Sequence, residues 1–353
     1  MLGAGSLYYG LDRGTYINGN YIVINSHNGF TKTKRTLRVG EEFHAEFPDS
    51  IDLKITSACG IGCPYCHESS TPGGKSFDLF KTQAVLSTLP QVGIEIAIGG
   101  GDIMEIPRET VILIKWLEER GFYTRVTVNW KSLEKYSGDL REACNNYYSK
   151  KKYENKNLDV SNLVDNELRY MILHEVGAIG ISIDKYQEIE SNTTLDTLSF
   201  IYTSKPVYHI IAGEFPIEDL RKVWSHNSIY DRVLILGYKD FGRAKGRKPK
   251  ESLEDWSAEL KRLMYETRQY NLEAPTVGFD NLAIEQLSIK DAMTEEEWNS
   301  KYFGDEFTCS MYIDAVEEKF GSTSRSPIIE RETWVDNGNS VMEYFKKHHP
   351  WKE

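Results

Sequence analysis

Residues 51–70 read IDLKITSACGIGCPYCHESS, a short strand-like run that breaks into a loop holding three of the chain's five cysteines. IDLKIT (51–56) has the β-branched and apolar content that suits a pleated surface. The loop beyond it cannot continue a strand: Cys59, Cys63 and Cys66 are spaced C-x3-C-x2-C, and His67 comes directly after. Gly60 and Gly62 stand between the first two cysteines. Glycines let a backbone curl without Cβ clashes, so the spacing predicts a tight concave loop with its thiols gathered together.

Three groups suit such a loop. A structural zinc ion of the Cys3His kind would take His67 as its fourth ligand, although adjacent residues rarely both reach one tetrahedral ion. Covalent haem would use CPYCH (63–67), which matches the C-x-x-C-H attachment pattern, and would leave Cys59 without a task. A [4Fe–4S] cluster normally takes four thiolates. Held by three, it keeps one iron open to a ligand from outside the protein.

The rest of the composition narrows the class. The chain has 353 residues, 40% hydrophobic and 27% charged, the proportions of a globular protein. No run approaches the 18 apolar residues of a membrane helix. The opening MLGAGSLYYGLDRGTY lacks a basic segment followed by an apolar core, so a cytoplasmic location is expected. A reducing cytosol disfavours structural disulfides, which again leaves metal or redox chemistry for clustered thiols. The net charge of −11 offers no footprint for gripping a nucleic-acid backbone; it does not exclude a nucleotide or a locally bound polyanion.

Working outward, residues 15–46 carry short β-prone runs punctuated by Asn-Gly at 18–19 and 28–29, which is hairpin chemistry. They predict a small antiparallel cap over residues 1–49. From residue 51 strands alternate with helical stretches. The strands are IDLKIT, IEIAIGG (94–100), YTRVTVN (123–129), AIGISID (178–184), VYHIIAG (207–213) and RVLILGY (232–238), with a seventh at TVGFDN (276–281). Helices are expected at 78–89, 108–120, 161–176, 216–225 and 251–270. Serial βα units imply a parallel sheet, and the length over 50–285 suits a partial (βα)6 TIM-type barrel better than eight full units. A polar stretch at 131–160, KSLEKYSGDLREACNNYYSKKKYENKNLDV, reads as an insertion outside the barrel. Residues 286–353 form a C-terminal extension. Within it CSMYIDAVEEKFGSTS (309–324) reads as a strand pair on the barrel edge or as a lid. There is no internal repeat.

C-x3-C-x2-C just after the first strand of a βα series, with Tyr65 in the aromatic position before the last cysteine, resembles the radical SAM superfamily. The resemblance implies one [4Fe–4S] cluster on Cys59, Cys63 and Cys66, with S-adenosylmethionine (SAM) bound to the open iron. It implies reductive cleavage of SAM to a 5′-deoxyadenosyl radical that takes hydrogen from a substrate, and an electron donor such as flavodoxin or ferredoxin. IGGGD (98–102) ends the second strand where the family places a Gly-Gly-Glu-like segment. Gly99, Gly100 and Gly101 would receive the SAM amino group, with Asp102 in place of the usual glutamate. By the same resemblance Asn129 and Ser182, at the ends of the third and fourth strands, would contact the SAM ribose and carboxylate.

Other polar residues stand at strand ends, where this architecture puts its chemistry: Asp184 after the fourth, and His209 in the fifth. LILGYKDFGRAKGR (234–247) gathers Lys239, Arg243, Lys245 and Arg247 at the barrel mouth. Lys239 and Arg243 are the sharpest candidates for holding the SAM carboxylate or an anionic substrate. His67 and Glu68 are placed on the substrate side of the loop, and Phe77 in the core. Cys144 and Cys309 are too scattered to ligate a second cluster. The expected substrate is a small anionic molecule, a nucleotide or modified nucleobase, whose outcome is a rearrangement, an oxidation or a group insertion. The alternatives are a peptide docked on the edge of the N-terminal cap, and a non-catalytic metal or redox sensor.

Overall fold

Strand β4 (Ser50–Thr56) sets the pattern of the main sheet. Ile51, Leu53 and Ile55 are fully buried beneath the helices, whereas Asp52 and Lys54 take the opposite face, as the two-residue period of a strand requires. Each fully buried aliphatic side chain of this kind contributes roughly 1.5–3 kcal/mol, and β5 (Glu95–Gly100) repeats the device with Ile96 and Ile98. In β6 (Tyr123–Asn129), Val126 and Val128 do the same. The computed structural model describes residues 14–25, 32–154, 160–190, 206–225, 232–334 and 341–349.

The N-terminal hairpin signals form a separate three-stranded antiparallel sheet of β1 (Thr15–Asn18), β2 (Tyr21–Asn25) and β3 (Lys32–Thr36). The main sheet has ten strands. Besides β4, β5 and β6 it contains β7 (Ala178–Ser182), β8 (Val207–Ile211), β9 (Arg232–Leu236) and β10 (Thr276–Phe279). The remaining three are β11 (Ser310–Asp314), β12 (Lys319–Gly321) and β13 (Glu332–Thr333). The order is β10-β9-β8-β7-β6-β5-β4-β11-β12-β13. From β10 to β11 every neighbour is parallel, and β12 and β13 follow antiparallel. The parallel run therefore has eight strands: the seven read from the sequence, β10 being the seventh beyond a (βα)6 unit, and, on the far side of β4, β11 from the C-terminal segment. The stretch at 309–324 is thus a strand pair within the main sheet.

Helices α1 (Leu79–Leu86) and α2 (Pro107–Glu119) follow β4 and β5. Asp78 caps α1 by accepting the Lys81 N–H at 3.0 Å, and Pro107 opens α2 where its missing N–H costs nothing. The polar stretch at 131–160 is not an outside insertion over residues 131–154. It belongs to helix α3 (Trp130–Glu154), which starts directly after β6. Trp130, Leu133, Tyr136, Leu140, Ala143 and Cys144 are buried along one face. Their three- and four-residue spacing was hidden by the lysines and asparagines around them. α4 (Asp165–Glu175) follows, then the single turn α5 (Gln187–Glu190). Last come α6 (Ile217–Ser225), α7 (Leu253–Tyr270), α8 (Asn281–Gln286), α9 (Glu295–Lys301) and α10 (Val341–His348). The sheet curls on itself: Lys239, just past β9, donates to Ser324 Oγ, just past β12, at 2.9 Å. Strand positions facing inward therefore line a lumen.

The small sheet lies against the N-terminal ends of the parallel strands. Tyr21 Oη donates to Asp49 Oδ2 at 2.7 Å, and Asn25 donates to the Gly93 carbonyl at 2.8 Å. Lys32 reaches both Asp49 and Glu95. The cysteine loop leaves the opposite, C-terminal end of β4.

Candidate active site at the cysteine loop

The loop is pinched shut at its base by backbone hydrogen bonds. Ser57 N–H donates to the Lys75 carbonyl, Thr71 N–H to Ser57 and Cys59 N–H to Thr71, at 2.8–3.0 Å. A Cβ on Gly74 would lie 2.0 Å from the Ser57 carbonyl oxygen, so only glycine closes this pinch. Within the loop Cys66 N–H donates to Cys63 O at 3.2 Å. Cys59 is buried, Cys63 and Cys66 half-buried, and all three are free thiols. Burial pushes the Cys59 and Cys63 thiols above their ordinary range. The N–H groups of Ile61 and Gly62 act the other way on Cys59, favouring its thiolate. Among the described residues no three His, Cys, Asp or Glu side chains are gathered round a point for one metal ion.

Two side chains hold the loop from opposite walls. Arg243 follows β9. Its backbone N–H donates to Cys66 O at 3.0 Å, its Nε to Cys63 O at 3.1 Å and its Nη1 to Ser70 O at 2.7 Å. The preceding Gly242, at φ +62°, leaves room for the His67 carbonyl. On the other wall Tyr65 Oη donates to the Asp184 carboxylate, which also pairs with Lys131.

The glycine segment runs alongside. Gly101 N–H donates to Thr56 O at 2.6 Å and Asp102 N–H to Ala58 O at 2.7 Å. A Cβ on Gly100, whose φ is +120°, would stand 2.4 Å from Thr56 O, and one on Gly101 2.2 Å from Ala58 O. Gly99 is different. Its φ is ordinary and nothing lies within 4 Å of where a Cβ would be. The Asp102 carboxylate is fully engaged, accepting from Met104 N–H at 3.1 Å and Ser132 Oγ at 2.7 Å. Burial raises its pKa. Asp102 ties the loop to α3 and does not face the open space.

Asn129, Ser182 and His209 share one level across three strands, since Asn129 pairs with Ser182 and Ser182 with His209. Asn129 Oδ1 accepts the Lys131 N–H at 3.0 Å, opening α3. The His209 ring lies over Gly180, where a Cβ would come within 2.3 Å of it. Burial, with Arg125 nearby, lowers its pKa to about 4, so it is neutral.

Three of the four cations expected at the mouth are spoken for. Arg243 holds loop carbonyls, Arg247 forks onto Glu214, and Lys239 Nζ lies on Ser324 and 3.5 Å from His67 Nε2. Of the four, only Lys245 has neither a hydrogen bond nor an ion pair through its side chain. An anion socket is not assembled from them. Burial, then the charges of Lys239, Lys54 and Arg331, keep His67 neutral, well below the usual histidine range.

A further network joins the loop to the C-terminal strands. Lys54 Nζ pairs with Glu68 at 2.7 Å and with Asp314 at 3.2 Å, and Arg331 pairs with Asp314 at 2.8 Å. Tyr312 Oη donates to Glu68 at 3.2 Å, and the Arg331 guanidinium covers its ring at 4.6 Å. Sequence reading missed Lys54, Tyr312, Asp314 and Arg331. The one local signal was the charged Asp52 and Lys54 alternating with aliphatics in IDLKIT. A cavity of about 350 Å³ lined by Trp224, Met264, Phe279, Trp298 and Tyr302 includes no residue of the cysteine loop.

No protein-family model matches the chain, and no curated protein matches it. Solved structures do. SuiB of Streptococcus suis bound to precursor peptide SuiA superposes with a TM-score of 0.56 at 12% identity, over 86% of this chain and 65% of SuiB. SuiB bound to S-adenosylmethionine gives 0.53 at 13%, over 82% and 64%. SuiB alone gives 0.52 at 14%, over 85% and 64%. This chain thus spans just under two thirds of the length of those proteins. What is shared at so low an identity is the fold alone.

Proposed function

We propose that the protein is a radical SAM enzyme acting on a peptide. Cys59, Cys63 and Cys66 would hold one [4Fe–4S] cluster, and the strand end at Gly99 would receive SAM. Bound together, these groups supply a 5′-deoxyadenosyl radical that takes a hydrogen atom from substrate, chemistry that belongs to the cofactor. The observation that carries the reading is the space at Gly99. Gly100 and Gly101 are explained by neighbouring carbonyls, but Gly99 meets no clash and no strained φ. Its missing side chain is accounted for by a ligand approaching the main chain beside three free thiols.

The chain's own residues then have definable tasks. Arg243 and Tyr65 fix the loop from two walls, which fits a loop that must keep its shape while a group is loaded. Glu68, Lys54 and Asp314 satisfy one another's charges beside it, so no loose ion competes for the site. The peptide reading is favoured over a small anion for two reasons. Three of the four mouth cations are engaged within the protein, and the structural neighbour SuiB has been solved with a precursor peptide. The free edge of β3 is a candidate docking strand. It lies at the far end of the barrel, and seven-residue strands rise about 23 Å. A peptide held there would need at least about seven extended residues to reach the mouth.

Anaerobic reconstitution with iron and sulfide, followed by dithionite and SAM, tests the proposal. About four irons per chain and 5′-deoxyadenosine are expected. Zinc uptake with SAM left whole would overturn it. Deuterium transfer into 5′-deoxyadenosine from labelled peptides, and not from labelled nucleotides, would fix the substrate class.

A further inference from the structure

Among the described residues, the lumen carries a carboxylate that the chain does not neutralise. Asp52 shares the inward face of β4 with Lys54, yet it is exposed to the lumen and has neither a hydrogen bond nor an ion pair. Every other charged group that bears on it is committed elsewhere. Glu95 is paired with Lys32 at 3.2 Å and Arg125 at 3.0 Å. Asp280 caps α8, accepting from Ala283 N–H at 2.7 Å and Gly237 N–H at 2.9 Å. Glu306 is held by Arg325. The one cation near it, Lys239, rests on Ser324. The field at Asp52 is therefore set by three acids against one base. Desolvation by its depth within the lumen, with these acids and against Lys239, raises its pKa to about 6.

A carboxylate is costly to leave unpaired once water is excluded, and occupation of the mouth by cofactor and substrate would exclude it. Of the other polar groups of the lumen wall, Asn129, Ser182 and the neutral His209 bring no positive charge, while Arg125 is paired with Glu95 and Lys54 with Glu68 and Asp314. The complement is missing from the protein and must arrive with the ligand. We propose that Asp52 is a specificity-determining residue that receives a cationic side chain of the substrate, a primary amine or a guanidinium. This rests on the reading that a peptide reacts in the lumen below the cysteine loop. It reverses the sign of the substrate charge expected from the basic loop at 239–247.

The test uses the full, reconstituted chain with SAM. The probes are fluorescein-labelled heptapeptide mixtures in which the central residue is fixed as lysine, norleucine or glutamate and the others are randomised. Fluorescence polarisation should give about tenfold tighter binding for lysine than for norleucine, and weaker binding still for glutamate. Asp52→Asn should level lysine with norleucine, and Asp52→Glu should retain the preference. Equal binding of lysine and norleucine by the unmodified protein overturns the inference without needing any variant. So does a preference that survives in Asp52→Asn, the outcome if the charge is read elsewhere. SAM cleavage is scored separately on the unmodified protein. Cleavage without charge preference removes Asp52 from recognition and leaves the radical SAM reading. Charge preference without cleavage does the reverse.

Discussion

The closed end of the barrel and the lumen just inside it use the same kind of residue for opposite purposes. At the closed end Asp49 is wholly buried, yet it is met by Lys32 at 3.3 Å, Lys34 at 2.9 Å and the Tyr21 hydroxyl at 2.7 Å. Burial alone would push its carboxyl up, but the two lysines hold it below the usual carboxylate range. Asp52, three residues further along the chain and facing the lumen, has no such partner, and its pKa is raised to about 6. One acid is finished by the fold, and the other is left for a ligand. Stability residues gathered at the N-terminal rim are what barrels built from βα units are expected to show.

That contrast can be broken or sharpened by substitution. The largest effect is expected at the closed end. Asp49→Ala leaves Lys34 without a counter-charge in a dry site and Lys32 with Glu95 alone, a loss of about 3 kcal/mol. Urea unfolding measures it, and a change below about 1 kcal/mol would show that the cap does not depend on this acid. Iron content per folded chain should not move.

Next comes Arg243→Ala. It removes the bonds to Cys63 O and Ser70 O but keeps the backbone bond to Cys66 O. Two charge-assisted bonds to carbonyls make the expected loosening of the loop about 2 kcal/mol. Faster iron release to a chelator should report it, with global stability little changed. Release at the original rate, with weaker SAM binding instead, would return Arg243 to the ligand-holding part first expected from sequence.

Gly99→Ala separates a ligand's need from the fold's need. The new methyl meets nothing within 4 Å, so stability should hold within about 0.5 kcal/mol. SAM affinity should fall about tenfold, or roughly 1.4 kcal/mol. Gly101→Ala, whose methyl would lie 2.2 Å from Ala58 O, should instead disturb the fold. Equal SAM binding in Gly99→Ala and the unmodified protein would empty that space of meaning.

The smallest effect is a pH dependence. In the folded protein Asp52 holds its proton up to about pH 6, whereas the ordinary value is 3.8. Between those values the folded state binds more protons than the unfolded one, so stability falls as pH rises through the window. Its cost is fully present above pH 6 and absent below the ordinary value. Asp52→Asn should therefore be the more stable protein at pH 7, by no more than about 1 kcal/mol after allowance for solvent in the lumen. Thermal melts should converge as pH approaches 4. A gap that widens toward acid would reverse the assignment.

Much of the frame was legible in the sequence because it is local. The strand at 51–56, the cysteine spacing and the glycines at 99–101 are short-range patterns, and periodicity marked all seven strands from β4 to β10. Helix α3 escaped because its apolar face is sparse among lysines and asparagines, although Trp130, Leu133, Leu140 and Ala143 keep helical spacing. The place of β11 had no local signal at all. Nothing in SMYID distinguishes a partner for β4 from a partner for a hairpin.

By itself, then, the sequence determined a loop of three thiols at the end of the first strand of a parallel α/β sheet. The tertiary structure alone decided what the charges do. Lys54 and Asp314 meet across 260 residues of chain, and Arg243 and Cys63 across 180. Whether a charge becomes a structural pair or an open valence depends on which partners the curled sheet brings within reach. A charged residue reads the same in either case, because its partner is chosen by distance and burial rather than by neighbours in the chain.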